Sequence, residues 1–123
     1  MSTPQNQIIQ LYGIPNCTSV KKARAWLDTH QLSYQFHDFK KTGASVTQLN
    51  HWAQQVGWEK LLNRQGTTWR QLDEATKTRG TDATSAVAVM CDKTSSIKRP
   101  VLAMGATLLV GFNETEYSQL LNK

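Results

Sequence analysis

Two cysteines occur among the 123 residues, in contrasting settings. Cys17 follows a short apolar run over residues 8–12 and the turn formers Gly13, Pro15 and Asn16, and it precedes Val20, Ala23 and Leu27 at helical spacing. A thiol carried by a strand and a tight turn to the start of a helix faces unpaired backbone amides and the positive end of the helix dipole, and both favour the thiolate. Lys21, Lys22 and Arg24 add positive charge within two turns. Cys17 is therefore expected to titrate below the free-thiol value of about 8.5 and to act as a nucleophile near neutral pH. Cys91, beside Met90 on an amphipathic stretch, reads as filler of a helix face or as a second, resolving thiol.

Redox motifs with two thiols need the second cysteine three residues after the first. That position is Val20, so a mixed disulfide on Cys17 must be resolved by an external thiol such as glutathione, or by a distant cysteine. Arg99-Pro100 stands immediately before a predicted strand, where a cis X-Pro bond turns the backbone toward a site and arginine can hold an oxyanion bidentately. Residues 61–70 gather cations, amides and hydroxyls around Gly66, a pattern shared by anion loops and solvated loops. His30, His37 and His51 lack metal-ligand spacing, which argues against zinc; a Cys-His pair stays open because such partners meet in space rather than in sequence. Trp26 and Trp52 fall on helical core faces, where packing accounts for them.

The elements that must position these groups follow from periodicity. Residues 8–12 predict a strand and 17–30 a helix; Leu32, Tyr34 and Phe36 alternate with polar residues as in a half-buried second strand. This β-α-β unit calls for two parallel neighbouring strands with a right-handed crossover. Val46, Leu49, Trp52, Ala53 and Val56 trace a helical face ending at Gly57, and residues 58–79 read as short helix and loop. Asp82 or Thr81 can cap a helix carrying Ala83, Ala86, Val87 and Met90. Residues 101–104 and 107–110 predict an antiparallel hairpin around Gly105-Ala106, and a last helix over 114–121 carries Tyr117, Leu120 and Leu121 on one side. The expected architecture is α/β, a single domain over 1–123 with a thioredoxin-type mixed sheet of about four strands flanked by helices and an inserted helical lobe at about 44–96.

Hydrophobic residues make up 39% and charged residues 19%, a globular composition with a true core. The uncharged, largely apolar stretch 101–113 falls short of the roughly 20 apolar residues of a membrane span. The first residues, MSTPQNQ, show neither the basic start nor the apolar centre of a secretory signal, so a cytoplasmic location with reduced cysteines is expected. The net charge is +5, but the cations are scattered, which points to a small anionic ligand rather than to direct nucleic-acid binding.

Taken together, Tyr12-Gly13-Ile14-Pro15-Asn16-Cys17-Thr18, Lys21-Lys22-Ala23, Gly57-Trp58, Leu61-Leu62-Asn63, Gly66-Thr67-Thr68-Trp69-Arg70 and Ile97-Lys98-Arg99-Pro100 resemble the arsenate reductase and Spx family, above all its YffB-like branch, from about residue 8 to 121. The resemblance implies a thioredoxin-like fold, an active Cys17, no tightly bound cofactor, and glutathione as co-substrate with glutaredoxin as a further partner. It implies an oxyanion or glutathione cradle from Asn16, Thr18, Arg64, Arg99 and Pro100. Arg64 stands one position from where that branch has its arginine, which is Gln65 here. A third arginine of the arsenate reductases should fall in 108–112, where this chain reads Leu-Leu-Val-Gly-Phe. The activity so implied is a glutathione-dependent thiol oxidoreductase, with arsenate reduction as one alternative and Spx-like binding of RNA polymerase as another.

Overall fold

The computed structural model describes residues 8–63, 74 and 82–123. The chain divides into two compact units, residues 1–38 with 99–123, and residues 39–98.

The first unit is built on a four-stranded sheet in the order β2-β1-β3-β4, with β1 at Ile9–Gly13, β2 at Tyr34–Asp38, β3 at Val101–Met104 and β4 at Thr107–Val110. β1 and β2 are parallel, with Leu11 opposite Phe36; β3 is antiparallel to both β1 and β4. The parallel pair is joined through α1 (Thr18–Thr29), the helix predicted by the spacing of its buried residues Val20, Ala23, Trp26 and Leu27. This is the thioredoxin-like arrangement expected from the sequence.

One face of this sheet carries a hydrophobic cluster. Ile9, Leu11, Leu102 and Met104 pack with Ala23, Trp26 and Leu27 of α1 and with Tyr117 and Leu121 of the final helix, Glu114–Leu121. Tyr117 is fully buried, edge-on to Trp26 at 5.6 Å and to Phe112 at 4.9 Å between ring centres. On the opposite face of β1 and β2, Tyr12 stacks on His37 at 4.5 Å, and the His37 ring nitrogen bonds Gln10.

The described part of the second unit is helical: α2 (Phe39–Thr42), α3 (Val46–Val56), α4 (Trp58–Leu61) and α5 (Ala83–Asp92), followed by one 3₁₀ turn at Thr94–Ser96; the final helix is therefore α6. Ser45 caps α3 by accepting from the Gln48 amide, and Asp82 caps α5 by accepting from Ser85 at 2.8 Å. α3 ends at Gly57, whose φ of 94° favours glycine. α3 packs against α5, burying Leu49 and Trp52 on one helix and Ala86, Val87, Val89 and Met90 on the other. An antiparallel bridge, Leu62 with Ile97, leads the chain toward Arg99; the Lys98 amide donates to the Leu61 carbonyl at 2.6 Å.

Candidate active site

Beyond Gly13 the chain turns through Ile14, Pro15 and Asn16, and the Cys17 amide donates to the Ile14 carbonyl at 3.3 Å. Proline supplies the fixed φ that suits the second position of such a turn. Cys17 proves to be the N-cap of α1 rather than its first helical residue: its backbone is extended, at φ −87° and ψ 130°, and its carbonyl accepts from the Lys21 amide at 2.9 Å. A side chain at this position is aimed at the amides two and three residues ahead.

Those amides act on the sulfur. The Cys17 side chain makes no capping hydrogen bond of ordinary geometry. Burial pushes the Cys17 thiol up, but the Val20 amide, the Arg99 side chain and the Ser19 amide, together with the Arg99 charge, outweigh burial and bring its pKa below the usual thiol value. The reason is selective stabilisation of the anion: hydrogen bonds to a charged acceptor are stronger than to a neutral one.

Sheet pairing explains how a residue from the far end of the chain reaches Cys17. β3 runs antiparallel to β1 with Val101 opposite Tyr12, so residues just before β3 lie beside those just after β1. Arg99, half-buried, occupies that place, joined to buried Pro100 by a cis peptide bond. The Pro100 carbonyl accepts from the Gly111 amide at 2.8 Å, extending the pairing of β3 with β4 beyond Val110.

The cations close in sequence play a different part from the one expected. Arg24 is drawn back onto β2, where its Nε donates to the Tyr34 hydroxyl at 3.1 Å and its guanidinium lies 4.4 Å from the centre of the Phe36 ring. Lys21 and Lys22 are exposed, and neither contributes to the lowered thiol pKa. Among the described residues Arg99 is the cation that lowers the thiol pKa.

Asn16 and Thr18 stand exposed on either side of Cys17. Arg64, with most of the expected anion loop, lies outside the described residues. His30 packs on Trp26 with ring centres 4.1 Å apart, and His37 is held by Tyr12 and Gln10, so both histidines of this unit are engaged away from the thiol. Cys91, on α5, has its pKa raised by burial. Among the described residues no three His, Cys, Asp or Glu side chains gather to hold a metal ion, and no helix is long and apolar enough to cross a membrane. The amides of Ser19 and Val20 were not singled out by sequence reasoning, although placing Cys17 at the N-cap would have named them.

Comparisons with known proteins agree with this fold. The pattern of the ArsC family matches residues 12–120. A solved structure of a YffB protein is 46% identical, with a TM-score of 0.89 over 92% of this chain and 98% of its own. An arsenate reductase (ArsC) related protein from Brucella melitensis is 43% identical, with a TM-score of 0.74 over 95% of this chain and 97% of its own. The global transcriptional regulator Spx of Lactiplantibacillus plantarum is 27% identical over 116 residues, 93% of this chain and 86% of the regulator.

Proposed function

The chain belongs to the ArsC family, and on that premise we propose that it is a glutathione-linked thiol oxidoreductase working through the one thiolate of Cys17. What carries this reading is the place of the half-buried Cys17 at the N-cap of α1, where the Val20 and Ser19 amides and Arg99 bring its pKa down. Stabilising the thiolate raises the reactive fraction near neutral pH.

In the reaction, the Cys17 thiolate attacks one sulfur of a substrate disulfide; an S–S bond forms to the enzyme, the substrate S–S bond breaks, and the second substrate sulfur leaves as thiolate. A glutathione thiolate then attacks the substrate sulfur of the mixed disulfide. This releases Cys17 as thiolate and leaves the substrate sulfur joined to glutathione. Val20 at the third position after Cys17 supports an external resolver. Arg99 serves twice in this scheme, holding the Cys17 thiolate and then facing the carboxylates of the bound tripeptide.

The test is mass spectrometry of protein incubated with oxidised glutathione at neutral pH. A single glutathione adduct on Cys17, released by reduced glutathione and absent from Cys17→Ser, is the expected result. An unmodified Cys17 under conditions that modify a free peptide thiol would sink the reading. Arsenate joins the same assay as a competitor. Phe112 and the neutral strand before it supply no cation for a third oxyanion contact, which favours a disulfide over arsenate as substrate.

The likeness to Spx over nearly the whole chain supports a second reading, a transcription-regulating partner of RNA polymerase. It requires polymerase capture that survives Cys17→Ser, whereas the oxidoreductase reading requires none.

A further inference from the structure

Gly13 is the last residue of β1, four positions before the thiol, and its backbone is not in the left-handed region. Conformational freedom therefore does not explain a glycine there. Space does: a Cβ placed on Gly13 would lie 2.6 Å from Val20 Cγ2 and 3.4 Å from Cγ1. Val20 is fully buried at the start of α1, and its amide is one of the groups that hold the Cys17 thiolate.

We propose that Gly13 is a positioning residue for the Cys17 thiolate: lacking a Cβ, it lets the Val20 side chain seat against the end of β1 and so fixes the first turn of α1 with its amides toward the sulfur. The inference rests on the reading of Cys17 as a thiolate nucleophile, and it assigns no chemistry to Gly13 itself. Valine in a helix has one strongly preferred χ1, and with one Cγ at 2.6 Å and the other at 3.4 Å a rotation about χ1 has little room to relieve the overlap. An added methyl group at position 13 must therefore be met by movement of the helix start. That movement carries the Ser19 and Val20 amides with it.

The structure also shows what should restore the geometry. The same added Cβ would sit 3.6 Å from Val20 Cβ, an ordinary van der Waals distance, so Gly13→Ala becomes compatible once Val20 is shortened to alanine. Alanine keeps the amide and a good helix former at that position.

The experiment measures the pH dependence of Cys17 reaction with a neutral disulfide, in a Cys91→Ser background, for the parent, Gly13→Ala, Val20→Ala and Gly13→Ala/Val20→Ala. Gly13→Ala should move the titration to higher pH and slow the reaction about three- to tenfold on the acid side of it. The double variant, in which the two alanine methyl groups restore the contact between β1 and α1, should titrate with the parent, and Val20→Ala alone, which leaves that contact open, should be displaced less than Gly13→Ala. A merely structural role for Gly13 would lower stability without moving the titration. The proposal is overturned if Gly13→Ala titrates with the parent, or if the double variant keeps the displaced titration or does not fold. If Gly13→Ala alone does not fold, a folded double variant with the parent titration supports the proposal, and a folded one with a displaced titration overturns it. An ordinary thiol titration in the parent would instead refute the thiolate reading of Cys17.

Discussion

Replacing Arg99 by alanine removes from the Cys17 thiolate both a hydrogen-bond donor and a nearby positive charge. A hydrogen bond to a charged group contributes about 1.5–3 kcal/mol, and about 1.4 kcal/mol is a factor of ten in an equilibrium. Cys17 is only half-buried, so solvent screening places the expected loss of thiolate at the lower end, about tenfold on the acid side of the titration. The thiolate that remains is intrinsically more nucleophilic, because reactivity toward disulfides rises with thiol basicity with a Brønsted slope of about 0.4–0.5. A tenfold loss of thiolate is thus offset by about a threefold gain per thiolate, and the net slowing at low pH is about threefold. Above both titrations the order must invert, with Arg99→Ala reacting about three times faster than the parent. The assay is stopped-flow reaction with a neutral small disulfide from about pH 5 to 10 in a Cys91→Ser background, the neutral reagent keeping Arg99 from acting as a reagent-binding site. Arg99→Lys should fall between, since it keeps the charge but not the planar fork. Uniform slowing at every pH, without the crossover, would refute the reasoning and leave Arg99 acting on reagent access alone.

Three further outcomes are expected. Cys17 titrates lower in the folded than in the unfolded chain, so its contribution to stability is fully present above the unfolded value and is lost as pH falls through the folded one; in urea titrations the stability of the parent relative to Cys17→Ser should rise from pH 6 toward pH 9, roughly the window of thiol ionisation, and a flat difference would contradict a stabilised thiolate. The slope is the observable, since serine is itself a good N-cap and shifts the offset. Cys91→Ser should keep glutathione-dependent turnover, because burial raises the Cys91 thiol; loss of turnover together with a Cys17–Cys91 disulfide in the parent would remove the need for an external resolver. Tyr117→Phe should melt within a few degrees of the parent or above it, a change of no more than about 1 kcal/mol, because among the described residues the buried Tyr117 hydroxyl finds no hydrogen-bond partner; a larger loss would reveal one.

The elements whose signals are local were legible in the sequence. The α1 face of Val20, Ala23 and Leu27, the stop of α3 at Gly57, the Asp82 cap and the hairpin around Gly105-Ala106 each need only a few neighbouring residues, and each stands where the spacing puts it. The electrostatics of Cys17 was legible in kind and misread in detail. Lys21, Lys22 and Arg24 are close in number, but Lys21 and Lys22 are exposed to solvent, and Tyr34 and Phe36 claim Arg24. Arg99 was singled out by its place before Pro100 and a predicted strand, but its nearness to Cys17 was not legible there, because what brings it to Cys17 is the antiparallel register of β1 with β3. The Gly13–Val20 contact was equally hidden: glycine beside proline and asparagine reads as a turn former, and only the packed structure shows that its missing side chain is what the neighbouring helix occupies.

Val20 joins these two lines. In a Cys-x-x-Cys site the third residue after the nucleophile supplies the resolving thiol; here the same position supplies a backbone amide to the thiolate and a branched side chain to the seam between α1 and β1. The side chain is fully buried, so it serves packing and offers nothing to a bound substrate. Once Cys17 has entered a mixed disulfide its negative charge is gone, and the Val20 and Ser19 amides and the Arg99 guanidinium lose the anion they had stabilised. An incoming thiolate must then attack the outer sulfur and expel Cys17, and the same three groups lower the energy of that departing thiolate. A site that favours the thiolate thus favours release of the adduct as well as its formation. On the proposed mechanism the rate of release should be first order in the external thiol, since position 20 carries valine and not a competing cysteine; a rate independent of that thiol would point to an internal resolver.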